Sequence, residues 1–252
     1  MKQSHSTYHT LALLNGLTEE VLKNKILRPA FRVTLLQLRK DIKAALSFWE
    51  NNKRSLKLSE NRSSLSSDKL QIGVGKHYLS GFVNLDLFPP ADIIWDCRYG
   101  LPFPNGTFGL IFSEHFFEHL DFPISAKKVL SEIYRALKPG GELFLGVPDA
   151  GKAIRAYCSG NKLFLNNLRH RVYKKRYHPP LEIYGNIDLI NYLFRDQLDS
   201  PKYTIHYWAY DEDSLTNLLR SVGFRVVEKT KFNFRYCNPE RKFYTLYIKA
   251  TK

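Results

Sequence analysis

The sequence predicts an α/β protein built on a parallel sheet, and three observations point to it. A glycine pair, Gly73 and Gly75, follows the apolar run Leu70-Gln71-Ile72. Two further runs each close on an acid, Val83-Asn84-Leu85-Asp86 and Ile93-Ile94-Trp95-Asp96. A fourth run at 108–113 and a fifth at 142–147 flank a helical stretch that ends in Leu137-Lys138-Pro139-Gly140-Gly141. Strands alternating with a helix through glycine turns fit a sheet that holds a ligand along its carboxyl edge.

Ahead of this core, Thr18-Glu19-Glu20 reads as a helix start, an oxygen-bearing cap with acids in the first turn. A second helix is expected from Pro29, a residue favoured in a first turn. Phe31, Leu35, Leu38, Ile42, Ala45, Leu46 and Trp49 then recur at three- and four-residue spacing to about residue 50. Residues 1–52 are thus read as an N-terminal helical appendage, packed on the core or forming a homo-oligomer contact. The polar, serine-rich stretch 53–68 reads as a linker and 69–252 as the main domain.

Within the core, Asp86 follows Gly75 by eleven positions. A strand-helix-strand crossover takes a dozen or more residues, so the first helix is expected to shrink to a turn over 76–81. Leu137 to Gly141 is expected to turn between the helix and the fifth strand. Residues 151–204 are too long for a loop. Helices are expected at 152–158, 163–177 and 186–195, with Pro179-Pro180 breaking the run, as an insertion that covers the ligand edge like a lid. A helix over 211–222 ending at Gly223 and a strand pair at 224–227 and 243–248 complete the chain.

The net charge of +14 is localised. Residues 69–150 hold seven Lys/Arg and nine Asp/Glu, whereas 1–60 hold eleven bases and five acids. Residues 151–178 carry Lys152, Arg155, Lys162, Arg169, Arg171, Lys174, Lys175 and Arg176 with no acid. Such a patch favours an anionic partner, although a solvated face has the same composition. Three widely spaced cysteines, Cys97, Cys158 and Cys237, suit a reducing cytoplasm rather than a disulfide framework. No run is long enough to span a bilayer and no signal-peptide pattern opens the chain, so a cytoplasmic location is expected.

This order of motifs resembles the class I S-adenosylmethionine (SAM) dependent methyltransferases, in particular the methyltransferase type 11 group, strongly over 68–150 and weakly over 205–250. A subgroup with a short first crossover is matched by Gly81-Phe82-Val83-Asn84-Leu85-Asp86. The resemblance implies a Rossmann-like sheet with a truncated first helix, the N-terminal helical appendage, a helical lid insertion and SAM as cofactor. It places the methionine end of SAM at Gly73 and Gly75, and the ribose at Asp86 with Leu87 beside it. Adenine falls at Asp96 and Cys97, with Ser113 on the same edge. The sequence departs from the family at Gln71, usually acidic, at the absent third glycine, and at Gly109, usually aspartate. Asp96 also fits a turn cap ahead of Arg98.

Methyl transfer is an in-line displacement from a sulfonium, in which alignment does much of the work and hydroxyl acceptors need a base. His115, His119 and His206 are candidate bases by position, with ordinary packed histidines as the rival reading. The letters His115-Phe116-Phe117-Glu118-His119 also spell a zinc-peptidase motif, which needs a helix to put both imidazoles on one face. They follow a strand and no third ligand helix is identifiable, so no metal is expected. Arg169, Arg171, Lys174, Lys175, Arg176 and Tyr207 are the candidate acceptor contacts. The leading expectation is O-methyl transfer to a small or carrier-bound anionic, glycan-like acceptor. A nucleic-acid methyltransferase, a scaffold with a decayed cofactor site and a zinc hydrolase are the alternatives.

Overall fold

The structure is a computed structural model that describes residues 2–23, 27, 29–60, 65, 67–173, 182–195 and 205–252. Seven strands form one sheet: β1 (Lys69–Ile72), β2 (Val83–Asp86), β3 (Ile93–Ile94), β4 (Phe108–Glu114), β5 (Leu137–Pro148), β6 (Val226–Lys229) and β7 (Thr245–Thr251). Their spatial order is β3-β2-β1-β4-β5-β7-β6. The first five are parallel, and β7 runs antiparallel between β5 and β6. Strand order reverses between β1 and β4, which opens a crevice at the carboxyl ends of those two strands.

The helices are α1 (Lys2–Leu22), α2 (Pro29–Glu60), α3 (Ile124–Ala136), α4 (Ala150–Cys158), α5 (Lys162–Asn167), α6 (Asn186–Phe194) and α7 (Glu212–Ser221). A π-helical stretch, Leu168–Tyr173, continues from α5. The apolar stripe of α3, Ala126, Val129, Leu130, Ile133 and Ala136, packs with Leu215 and Leu219 of α7 against Ile72, Ile111, Leu143 and Ile248. Neighbouring strand residues point to the other face, where Phe112, Phe144 and Tyr247 pack with Leu79, Phe82 and Cys237. The insertion has a small core of its own, with Phe164, Leu165, Leu168, Leu189 and Leu193 closing on Tyr244.

The short crossover contains turns and no helix between β1 and β2. Asn84 holds it: its amide nitrogen donates to Leu79 O, Phe82 O and Asp92 Oδ2, and its Oδ1 accepts from Leu79 N. Gln71, standing where an acid is usual, donates to His77 O in the same loop. Gly109 makes room for a carboxylate, since a Cβ there would stand 2.9 Å from Asp68 Oδ2. That position lies at the start of β4, at the opposite end of the strand from the crevice.

Three expectations need correction. Thr18 lies in the C-terminal part of α1 and not at a helix start; its hydroxyl bonds back to Asn15 O, and Arg32 caps the Leu22 carbonyl. Helix α2 runs to Glu60, into the stretch read as linker, because buried Ser55 accepts the Ile94 amide of edge strand β3. Serine-rich composition concealed that anchor. The Leu137 to Gly141 turn is the start of β5, with a register shift against β4 and Gly140 at φ 73°. Among the described residues, no helix is long and apolar enough to cross a membrane.

Candidate active site

The crevice has two halves. On the β1–β3 side, Gly73 and Gly75 take left-handed dihedrals, φ 79° and 51°. A Cβ on Gly73 would stand 2.7 Å from Phe116 Cβ, whereas Gly75 faces open space. Asp86, half-buried at the end of β2, accepts from Gly75 N at 2.9 Å on one oxygen and from Phe88 N at 3.2 Å on the other. Burial pushes its carboxyl up, opposed by these backbone bonds. Leu87, half-buried, accepts from Ser47 of α2, so the N-terminal hairpin braces this rim.

Asp96 has a complete set of partners of its own. Its carboxylate caps the following turn through Arg98 N and takes a forked ion pair from the Arg98 guanidinium, the closest contact being 2.7 Å. Cys97 is buried beside it, and burial pushes its thiol up. Ser113 is fully buried and its hydroxyl donates to Ile72 O, tying β1 to β4. The Ser113 hydroxyl is thus spent on the strand pair.

On the β4–β5 side, strand β4 ends at Glu114, which accepts from Tyr247 Oη, at 2.8 Å, and Asn238 N. His115 then takes φ 55°, a strained value for a non-glycine residue. Its Nε2 lies 2.8 Å from Thr245 Oγ1, whose hydroxyl donates to Arg241 O. Glu118 is 1% exposed and no hydrogen-bond donor reaches either of its carboxylate oxygens. Burial pushes its carboxyl up to about 8, with Arg241 opposing. The rings of His119 and His206 sit 4.8 Å apart edge to face. The chain after the lid seats on this turn, because Tyr207 N and Trp208 N both donate to Glu118 O. Buried Tyr210 follows, its hydroxyl without a hydrogen-bond partner. The structure thus gathers all three sequence-predicted histidines at one end of β4.

A family model described as a methyltransferase domain matches residues 81–229. The chain belongs to the methyltransferase domain family. It is a class I SAM-dependent methyltransferase, and SAM is its cofactor. Solved structures similar to it include a SAM-dependent methyltransferase from Archaeoglobus fulgidus, at 16% identity over 80% of this chain and 94% of that one, TM-score 0.43. Another is the 1,6-didemethyltoxoflavin-N1-methyltransferase of Burkholderia thailandensis with bound S-adenosylhomocysteine (SAH), at 13% identity over 91% and 92%, TM-score 0.44. No curated protein matches the sequence.

The residues of this methyltransferase fit its cofactor on two counts. Asp86 accepts backbone amides from Gly75 and Phe88 on different oxygens, and a carboxylate at this strand end suits ribose hydroxyls as donors. The open space above Gly75 is what a side chain would fill. The amide of Gly75 is engaged by Asp86. The glycine turn therefore leaves space beside the acid and holds the acid in place. In the lid, Arg169 donates to Ile183 O and Arg171 lies 5.0 Å over the Phe243 ring. Lys174, Lys175 and Arg176 lie outside the described residues. Sequence reasoning missed Glu114, Tyr210, Arg241 and Thr245 as members of the site. Tyr210 lies four residues after His206, and the other three have no local signature.

Proposed function

We propose that this methyltransferase acts on a hydroxyl oxygen of an anionic, glycan-like acceptor seated between the end of β4 and the lid, with His115 as base. The arrangement of His115 supports the choice of oxygen, the acceptor atom that needs a base. The Thr245 hydroxyl donates to Arg241 O, so His115 Nε2 donates to Thr245 Oγ1 and Nδ1 carries the lone pair. His115 then receives the hydroxyl proton at Nδ1, beside the Glu118 carboxyl at 3.4 Å, with its ring edge to face on Tyr244. SAM, when bound, supplies a methyl group on a positively charged sulfur. Tyr207, exposed at 42%, stands on the Glu118 turn as an acceptor contact.

Charge supports the anionic part. Lys152, Arg155, Lys162, Arg169 and Arg171 lie within residues 151–173, which contain no acid. Lys152 and Arg155 line an open groove along α4 with Ser159, Asn161 and Phe164. The test is SAH release with sugar phosphates, nucleotide sugars, small amines and bulk RNA as acceptors. Phosphorylated sugars should turn over, and His115→Ala should lower turnover by on the order of 100-fold while SAH affinity stays unchanged. Turnover of amines or RNA alone would overturn the reading.

A further inference from the structure

The spacing His115-Phe116-Phe117-Glu118-His119 grips a metal only on a helix, and this stretch is not one. His115 ends a strand at φ 55° and only Phe117–His119 form a 3-10 turn. The fold brings a different histidine to the same carboxylate. Glu118, His119 and His206 each offer one ligand atom within 4.8 Å of the others. Neighbouring ligands on a zinc ion at 2.0–2.2 Å stand roughly 3.5 Å apart, so the three atoms must draw in by about 1 Å to close on an ion.

Glu118 is the group that asks for a ligand. Both of its oxygens are buried without a hydrogen-bond donor, and His115 Nδ1 stands off at 3.4 Å from Oε1. An ionised carboxylate buried in this way is strongly unfavourable unless a cation or proton compensates it. The imidazoles are prepared for the same task. His119 Nδ1 faces Ile205 O at 3.3 Å and His206 Nδ1 faces Leu193 O at 2.8 Å. A carbonyl only accepts, so both Nδ1 atoms carry hydrogen and both Nε2 atoms carry the lone pair. Backbone carbonyls behind imidazoles are the common outer support of metal sites.

We propose that Glu118, His119 and His206 bind one divalent transition-metal ion, Zn2+ by donor type, which ties the chain leaving the lid to the end of β4. Two imidazoles and one carboxylate are a three-ligand zinc set with an open fourth position. The site stands on its own geometry and does not depend on the acceptor.

The test uses the full chain without a histidine tag, stripped by chelator, then titrated with Zn2+ by calorimetry and with Co2+ by visible absorption. One ion per chain should bind, with the d–d bands of a four-coordinate site. Glu118→Gln and His206→Asn should each weaken Zn2+ by on the order of 100-fold, while His115→Ala should leave it unchanged. SAH titrated into the same samples reports on folding; if Glu118→Gln loses SAH, His206→Asn decides. No stoichiometric uptake by the wild type, or equal uptake by both ligand variants, would overturn the site. SAH binding without metal uptake removes the metal and leaves the methyltransferase intact, and metal uptake without SAH binding does the reverse.

Discussion

The two halves of the crevice treat polar groups in opposite ways. On the cofactor side Asp86, Asp96, Asn84 and Asp92 are each held by named donors from neighbouring turns. Gln71 Oε1 is the exception there, buried without a donor. On the acceptor side both Glu118 oxygens, Tyr210 Oη and Arg241 Nε are buried without hydrogen-bond partners. A satisfied network rigidifies a binding surface, whereas unsatisfied buried groups hold free energy that a ligand can release. On the proposed reading, the β1–β3 half is the cofactor side, bonded in advance of its ligand, and the β4–β5 half is the acceptor side, where a ligand would supply the missing partners.

If that contrast is right, damage on the cofactor side should appear first as lost stability. Asn84→Ala removes four hydrogen bonds at once and orphans the buried Leu79 amide. A loss of about 3 kcal/mol is expected in urea unfolding. A loss below about 1 kcal/mol would show that the short crossover is held by its apolar residues instead. Next in size, Asp86→Ala should weaken SAH by about 2–3 kcal/mol, roughly 30- to 150-fold, by calorimetry, since a charged acceptor of two hydroxyls is removed. Unchanged affinity would remove Asp86 from the cofactor site.

Legibility followed the same divide. Strand order, the glycine turn and the truncated helix were readable because each is set by residues close in sequence, such as Gly75 and Asp86. Asp96 was readable only as a choice between ligand contact and turn cap, and the structure supplies the cap through Arg98. The acceptor side was largely opaque. Thr245 and Arg241 reach His115 and Glu114 across more than a hundred residues, and no local pattern records such pairs. The three histidines were found because few side chains titrate near neutrality, but their grouping came from the fold. Ser55 shows the reverse error: a serine in a polar run read as linker, when its hydroxyl anchors an edge strand.

A smaller effect sharpens the comparison from the other side. Tyr210 is 1% exposed and its hydroxyl has no hydrogen-bond partner, so Tyr210→Phe removes a desolvated group at no loss of packing. Stability should stay within about 0.5 kcal/mol of wild type or rise, measured by thermal unfolding. Turnover should fall, because the phenol interacts electrostatically with the Glu118 carboxyl. A destabilisation as large as that of Asn84→Ala would mean that the acceptor half is as fully bonded as the cofactor half.

The smallest effect belongs to the lid arginines, and it decides whether their charge or their packing matters. Arg169 is tied to the Ile183 carbonyl and Arg171 to the Phe243 face, so both have structural work within the insertion. The stretch 151–178 contains no acid, and their charge is available to a screened anion. Replacing both by Gln keeps hydrogen-bonding capacity and removes two charges. If the acceptor is anionic, its KM should rise several-fold at low salt with SAH affinity unchanged. The gap between variant and wild type should narrow as salt weakens the wild type. A KM that rises equally at all salt concentrations would assign the loss to disturbed lid packing. A KM that does not move would leave Lys152 and Arg155 in the α4 groove as the charges to test next.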